Sequence, residues 1–389
     1  MEFSLHTYLS HLRHDGASPD YIDTIRRNAK PLVDRDLPVI LTLGQLAYIA
    51  DKSYDTLLNI VKRQTDPYRI FPIRKRNGGK RYICVPEPGL LFVQRWIHNQ
   101  VFRSSWVLKS LSHNVTAYVP DSSHIRNAKR HRDASWLLKF DITRFFESIS
   151  ERQVYQIFRE LGYRALVAFC LTRLCTRILP EGIDLRLRHR TKRWQTGRPR
   201  KYLTTNVVGH LPQGAPTSPM LANLVCRKLD AELQKIADRE DLTYTRYADD
   251  MTFSGESFDR SSIGRLIGEI SSIVSKHGFG LNSQKTSLAK KGSRMIVTGL
   301  SVGDGIVRLP RSYKDAIRQE LYYINTYGLR DHCLKIGKKN HLGYLMRLAG
   351  RIRYVETVEA SAGKRMMEKF EKLFPNFREI EDLLEFQRD

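Results

Sequence analysis

The chain has 389 residues, 41% of them hydrophobic, which suits two or three packed subdomains and excludes a disordered polymer. Its 65 Lys and Arg stand against 41 Asp and Glu, and a net charge of +24 points to a polyanionic partner, with nucleic acid first. No apolar run approaches a membrane span, and the opening residues lack the basic and apolar regions of a secretory signal. The five cysteines (Cys84, Cys170, Cys175, Cys226, Cys333) are scattered and lack zinc-site pairing, so free thiols in a reducing cytoplasm are expected. Charge names the partner and not the reaction, because a basic ribosomal-type binding protein would share it.

Residues 1 to about 68 have helical apolar spacing at Tyr21–Ile25 and Leu57–Val61, and two short helices are expected around Leu43–Ala50 and after Ser53. No chemistry is visible there. Phe71 to Pro86 reads as a hairpin with an Asn77-Gly78 turn and a second strand from Arg81 to Val85. Arg74, Lys75, Arg76, Lys80 and Arg81 crowd its tip, either as a solvated guard of a sheet edge or as a lid of cations over phosphates. Residues 90 to 112 suggest one amphipathic helix. The spacing of Asn127 and His131 puts both on one helical face, where a capping or surface pair is the plain reading.

Trp136 to Asp141 reads as a buried strand ending in an acid, followed by Phe145 and Phe146. The segment from Leu185 to Leu203 is strongly basic, either a solvated loop or one that touches RNA backbone. In His210 to Met220, Gly214 and the prolines allow a tight backbone approach, and Thr217 or Ser218 would cap a helix from Leu221 to Ile236. Tyr244 to Phe253 reads as strand, tight turn and strand, with Asp249 and Asp250 at the tip.

An isolated Asp-Asp turn is ordinarily just solvated. A second strand ending in Asp141 changes its weight, because Mg²⁺ takes oxygen ligands and two such ions can clamp an in-line phosphoryl transfer. A helix from about Ser261 to His277 follows, then Gly278 to Thr286 with Lys285. Met295 to Val302 suggests a short strand with a turn at Gly303-Asp304. From Pro310 the chain reads helical and basic, with Ile317, Leu321 and Ile324 on one face and Arg311, Lys314 and Arg318 among the cations.

Together these motifs resemble the reverse transcriptases over roughly residues 70 to 310. The resemblance implies an α+β right-hand polymerase fold. It divides the chain into a helical extension (1–68), fingers (69–135), a palm (136–304) whose antiparallel sheet carries the Asp residues, with a basic insertion (180–205), and a helical RNA-binding thumb (305–389). It implies two Mg²⁺, replaceable by Mn²⁺, on Asp141, Asp249, Asp250 and the Ile142 carbonyl. Lys75, Arg81, Gln213, Gly214 and Lys285 would contact the dNTP, and Phe146 would be its steric gate. Asn127-Ala-x-x-His131 and Val297-Thr298-Gly299 resemble retron enzymes in particular. That narrower resemblance implies a cognate structured non-coding RNA, contacted also by Arg311, Lys314 and Arg318, and a product RNA–DNA hybrid. It further implies antiphage defence with a separate effector protein. A group II intron-like or other defence enzyme, or a non-catalytic RNA-binding protein on the same fold, are the alternatives.

Overall fold

The computed structural model describes residues 4–74, 78–178, 208–257 and 260–377. Four helices open it: α1 (Leu5–His14), α2 (Pro19–Val33), α3 (Leu43–Ile49) and α4 (Tyr54–Val61). Each begins where Ser4, Ser18, Thr42 or Ser53 accepts a hydrogen bond from a backbone N–H three residues on, satisfying an otherwise orphaned donor. Strands β1 (Tyr68–Arg74) and β2 (Lys80–Pro86) form the expected antiparallel hairpin, although its Asn77 lies outside the described residues.

The single helix expected over 90–112 is instead α5 (Pro88–Ile97), a π-helical turn (His98–Phe102) and α6 (Ser105–Lys109). Next come α7 (His124–Lys129), β3 (Trp136–Asp141), α8 (Phe145–Ser148), α9 (Glu151–Glu160) and α10 (Ala165–Cys175). The helix expected from Leu221 to Ile236 is two, α11 (Ser218–Val225) and α12 (Arg227–Arg239), divided at Cys226. Thr217 makes no capping bond; Ser218 Oγ instead donates to the Pro212 carbonyl at 2.7 Å and closes the preceding loop.

Strands β4 (Thr243–Tyr247) and β5 (Asp250–Gly255), helix α13 (Arg260–Lys276) and strand β6 (Ser287–Lys290) complete the central region. The single strand expected over 295–302 is a small hairpin, β7 (Ile296–Val297) and β8 (Leu300–Ser301). Its turn is at Thr298-Gly299, both with positive φ. Helices α14 (Arg311–Tyr327), α15 (Leu329–Lys335), α16 (His341–Val358) and α17 (Ala360–Leu373) end the described chain. None of the described helices is long and apolar enough to cross a membrane.

The central sheet is antiparallel, in the order β4-β5-β3-β6. Side chains alternate across a strand, and this divides the sheet cleanly. Trp136, Leu138, Phe140, Tyr244, Met251 and Phe253 join the large core shared with the N-terminal helices and α9 to α13. Leu137 faces the other way, into a second core with Ala128, Val297, Leu300 and the C-terminal helices. Beyond Leu137 on that second face come Lys139 and Asp141, so the carboxylate lies where packing stops.

Candidate active site

Asp141 ends β3 directly opposite Asp250, the first residue of β5. Residues opposed in this way have Cβ atoms about 5 Å apart on one face of the sheet. Tyr247 pairs with Asp250, which leaves Ala248 and Asp249 as a two-residue turn. The turn is fastened to β3, because Ile142 N–H donates to the Asp249 carbonyl at 3.0 Å. The Asp141 carbonyl accepts from Asn282 N–H at 2.8 Å, and this tether brings Lys285 to the site. Lys285 Nζ lies 2.6 Å from Asp141 Oδ1.

Three carboxylates this close are costly to keep ionised. Burial first, then the charges of Asp250 and Asp141, push the Asp249 carboxyl up to about 6. Asp250 is raised too, again chiefly by burial, with Asp141 adding to the shift and Lys139 opposing it. Lys285 is held protonated by its bond to Asp141. Three carboxylates against the ammonium of Lys285 leave negative charge in excess, and the groups free to bind a cation are all oxygen, the combination a hard divalent cation satisfies. Among the described residues no three His, Cys, Asp or Glu side chains form a preformed metal cluster. An ion that draws its remaining ligands from water and substrate phosphates needs none, whereas a structural zinc would.

The turn rests on a buried ion pair that the sequence did not announce. Arg246 and Asp230 are both fully buried and meet through two hydrogen bonds of 2.8 and 2.7 Å, while Tyr244 Oη donates to the same carboxylate at 2.9 Å. Arg246 Nη1 also donates to the Ala248 carbonyl at 3.2 Å. Ala248 has φ 57, a left-handed conformation uncommon for alanine, and this bond helps to hold it. A lone charge inside an apolar strand was the available signal for this pair.

The other expected residues separate into groups. Phe146 is half-buried on α8, with its ring 6.5 Å from that of Tyr118. Arg81 is exposed on β2, and Lys75 lies outside the described residues, as does the whole basic segment 180–205. Gly214 has φ 113, and a Cβ there would come within 2.8 Å of Ile83 Cγ2 and 3.1 Å of the Cys84 carbonyl. Cys84 N–H donates to the Gln213 carbonyl at 2.7 Å, so the close approach that Gly214 permits is to strand β2.

Asn127 and His131 need correction. Both are buried, which removes their side chains from any RNA-facing surface. His131 bridges the Ser254 and Thr245 hydroxyls, each at 2.7 Å, and Asn127 Oδ1 accepts from Thr116 Oγ1 at 2.8 Å. His131, just past the end of α7, thus ties that helix to the far end of the carboxylate-bearing face, and Asn127 ties it to the Thr116 segment. Val297 is likewise core, and Thr298 Oγ1 donates to the His124 carbonyl at 2.8 Å, so the two retron-like elements meet each other. Gly299 is exposed. Lys314 is also largely internal, 2.7 Å from Glu359, while Arg311 and Arg318 are exposed and pair with Asp315.

Residues 73–302 match the family described as reverse transcriptase (RNA-dependent DNA polymerase). The chain belongs to that family. It is 29% identical to the retron Ec86 reverse transcriptase of Escherichia coli, over 90% of this chain and 98% of that one. It is 32% identical to the retron Mx162 reverse transcriptase of Myxococcus xanthus over 79% of its own length, and spans 61% of that longer protein. The retron Ec83 reverse transcriptase of Escherichia coli matches at 26% identity, over 86% of this chain and 97% of the relative. These relatives make it a retron-type member, an RNA-directed DNA polymerase.

Proposed function

We propose that the chain is the reverse transcriptase of a retron, copying part of one structured non-coding RNA into single-stranded DNA. In this reading it starts from an RNA 2′-OH, so that DNA and RNA remain joined at a branch. The hairpin β1–β2 and the helices after it serve as fingers, the sheet and its helices as the palm, and α14 to α17 as the thumb. The observation that carries the catalytic part is the opposition of Asp141 and Asp250, with Asp249 in the adjoining turn and Lys285 at 2.6 Å.

Asp141, Asp249, Asp250 and the Ile142 carbonyl would hold two Mg²⁺, or Mn²⁺ in their place, which supply charge neutralisation and a more acidic primer hydroxyl. The protein's own part is mostly positioning and fixed charge. Arg81, with Lys75, draws the triphosphate toward the sheet. Gln213 and Gly214 set the floor beneath the incoming base, where their loop is fixed to β2. Lys285 gives its proton to the departing pyrophosphate. Phe146 fills the space a ribose 2′-OH would need, so dNTPs are preferred. Arg311 and Arg318 meet the RNA–DNA duplex.

The +24 charge supports an RNA partner, and five free buried cysteines suit a cytoplasmic setting. By resemblance to retron enzymes, the product works in antiphage defence through a separate effector protein. The test is to express the gene with its native flanking DNA and extract the nucleic acid bound to the protein, with and without RNase. A short, discrete DNA joined to RNA, absent from the Asp249→Ala/Asp250→Ala protein, is expected. Recovery of RNA alone, from a protein that still extends an ordinary primed template, would remove the retron assignment and leave the polymerase.

A further inference from the structure

Tyr118 stands apart from every motif that named a role in advance. It has φ 62 and is 48% exposed, an unfavourable conformation for a bulky residue whose ring the core does not demand. Such strain persists only where the surroundings impose it. Here they do. Arg246 N–H donates to the Asn114 carbonyl at 2.9 Å, and Thr116 N–H donates back to the Arg246 carbonyl at 3.0 Å. Asn223 Nδ2 then holds the Ala117 carbonyl at 2.9 Å. The segment before Tyr118 is therefore fixed to β4, the strand that leads into the Asp249 turn.

That anchoring delivers the ring to one place. Its centroid is 6.5 Å from that of Phe146, with the planes tilted by 54°. Phe146 leans on Phe145 at 5.5 Å, and Phe145 on Phe279 at 6.0 Å, so the inner side of Phe146 is supported by the core. Tyr118 supports it from the solvent side. The phenol is raised above its usual pKa by burial and then by the charge of Asp249, with Arg81 opposing. A side chain that excludes one hydroxyl group must be held still, because a loose ring yields to it.

We propose that Tyr118 is a positioning residue for sugar selection, its ring propping Phe146 in the space that a ribose 2′-OH would enter. This rests on the reading of Phe146 as the gate. The test is single-nucleotide extension of a primed RNA template by the full chain, with kcat and KM measured separately for a dNTP and its matching rNTP. Tyr118→Ala should reduce dNTP-over-rNTP selectivity by about ten-fold, the scale of a small change in pocket shape. Tyr118→Gly relieves the backbone and should lose the same selectivity while melting no earlier than wild type. Tyr118→Phe, which keeps the ring, should retain it. If Tyr118 acts through Phe146, the double Tyr118→Ala/Phe146→Ala protein should be no more permissive than Phe146→Ala alone.

Selectivity unchanged in Tyr118→Gly but lost in Phe146→Ala would overturn the role of Tyr118 and leave the gate intact. Equal losses for both sugars would also overturn it, because they would assign Tyr118 a structural role. Selectivity unchanged in Phe146→Ala would instead remove the gate itself, and the prop with it.

Discussion

Lys285 Nζ lies 2.6 Å from Asp141 Oδ1, although 144 residues separate them in sequence. In the proposed reaction this ammonium would supply the proton that the leaving pyrophosphate needs. Lys285→Ala should therefore lower kcat for dNTP incorporation by ~10²–10⁴-fold, the usual worth of a positioned general acid. Single-turnover kinetics at saturating dNTP would show it. An unchanged rate would leave Lys285 only a charge partner of Asp141.

Arg246 and Asp230 form a pair with no solvent contact. Removing one partner strands the other charge, so Asp230→Ala or Arg246→Ala should cost ~3–5 kcal/mol in chemical denaturation. Arg246→Lys cannot reproduce the two-pronged bond and should lie between these and wild type. Polymerase activity should fall further than stability alone explains, because Arg246 also holds the Ala248 carbonyl at the turn.

His131 gives a pH dependence. Burial, then the charges of Arg130 and Lys139, depress it to about 3 from a usual 6.5. As pH falls below 6.5 the unfolded chain takes up this proton first, so the stability from neutral His131 is complete above about pH 6.5 and is lost as pH falls toward 3. His131→Leu leaves two buried hydroxyls unpaired and should cost about 2–4 kcal/mol at pH 7.5. The gap from wild type should then narrow steadily down to pH 4. Urea unfolding at several pH values checks this, and a gap of constant size would contradict the neutral, buried assignment.

Gly214→Ala meets two obstacles at once, a positive φ and the Ile83 and Cys84 contacts. The loop should lift from β2, raising KM for dNTP more than it lowers kcat. Shortening Ile83 to Ala should not rescue it, since the Cys84 carbonyl and the backbone conformation remain. Steady-state kinetics on the two single variants and the double variant would show whether it does.

What the sequence made legible was local. Runs of strand-forming apolar and aromatic residues marked β3 and the β4–β5 hairpin, and the acids beside them marked their open edge. The positive φ of Gly214 was legible as a close approach, yet the partner across it, Ile83, is more than a hundred residues away. Arg246 was at most a lone charge within a strand, and Asp230 and Tyr118 carried no pattern, because their environment is made by segments that only folding brings together. The same limit turned Asn127 and His131 the wrong way. Their spacing suggested a shared helical face, but α7 ends at Lys129, and the burial of His131 was decided by Ser254 and Thr245. Helix interruptions at His98–Phe102 and Cys226 also followed tertiary packing rather than any Gly or Pro.

The most direct measurement is template-directed DNA synthesis by purified protein, on a primed RNA with dNTPs and Mg²⁺, comparing wild type with Asp141→Asn, Asp249→Asn and Asp250→Asn. Wild type should extend the primer, and each variant should fold normally yet lose ~10³-fold or more in rate, as expected when charge stabilisation of the transition state is removed. Folded variants that still extend the primer at close to the wild-type rate would contradict a reaction centred on these three carboxylates.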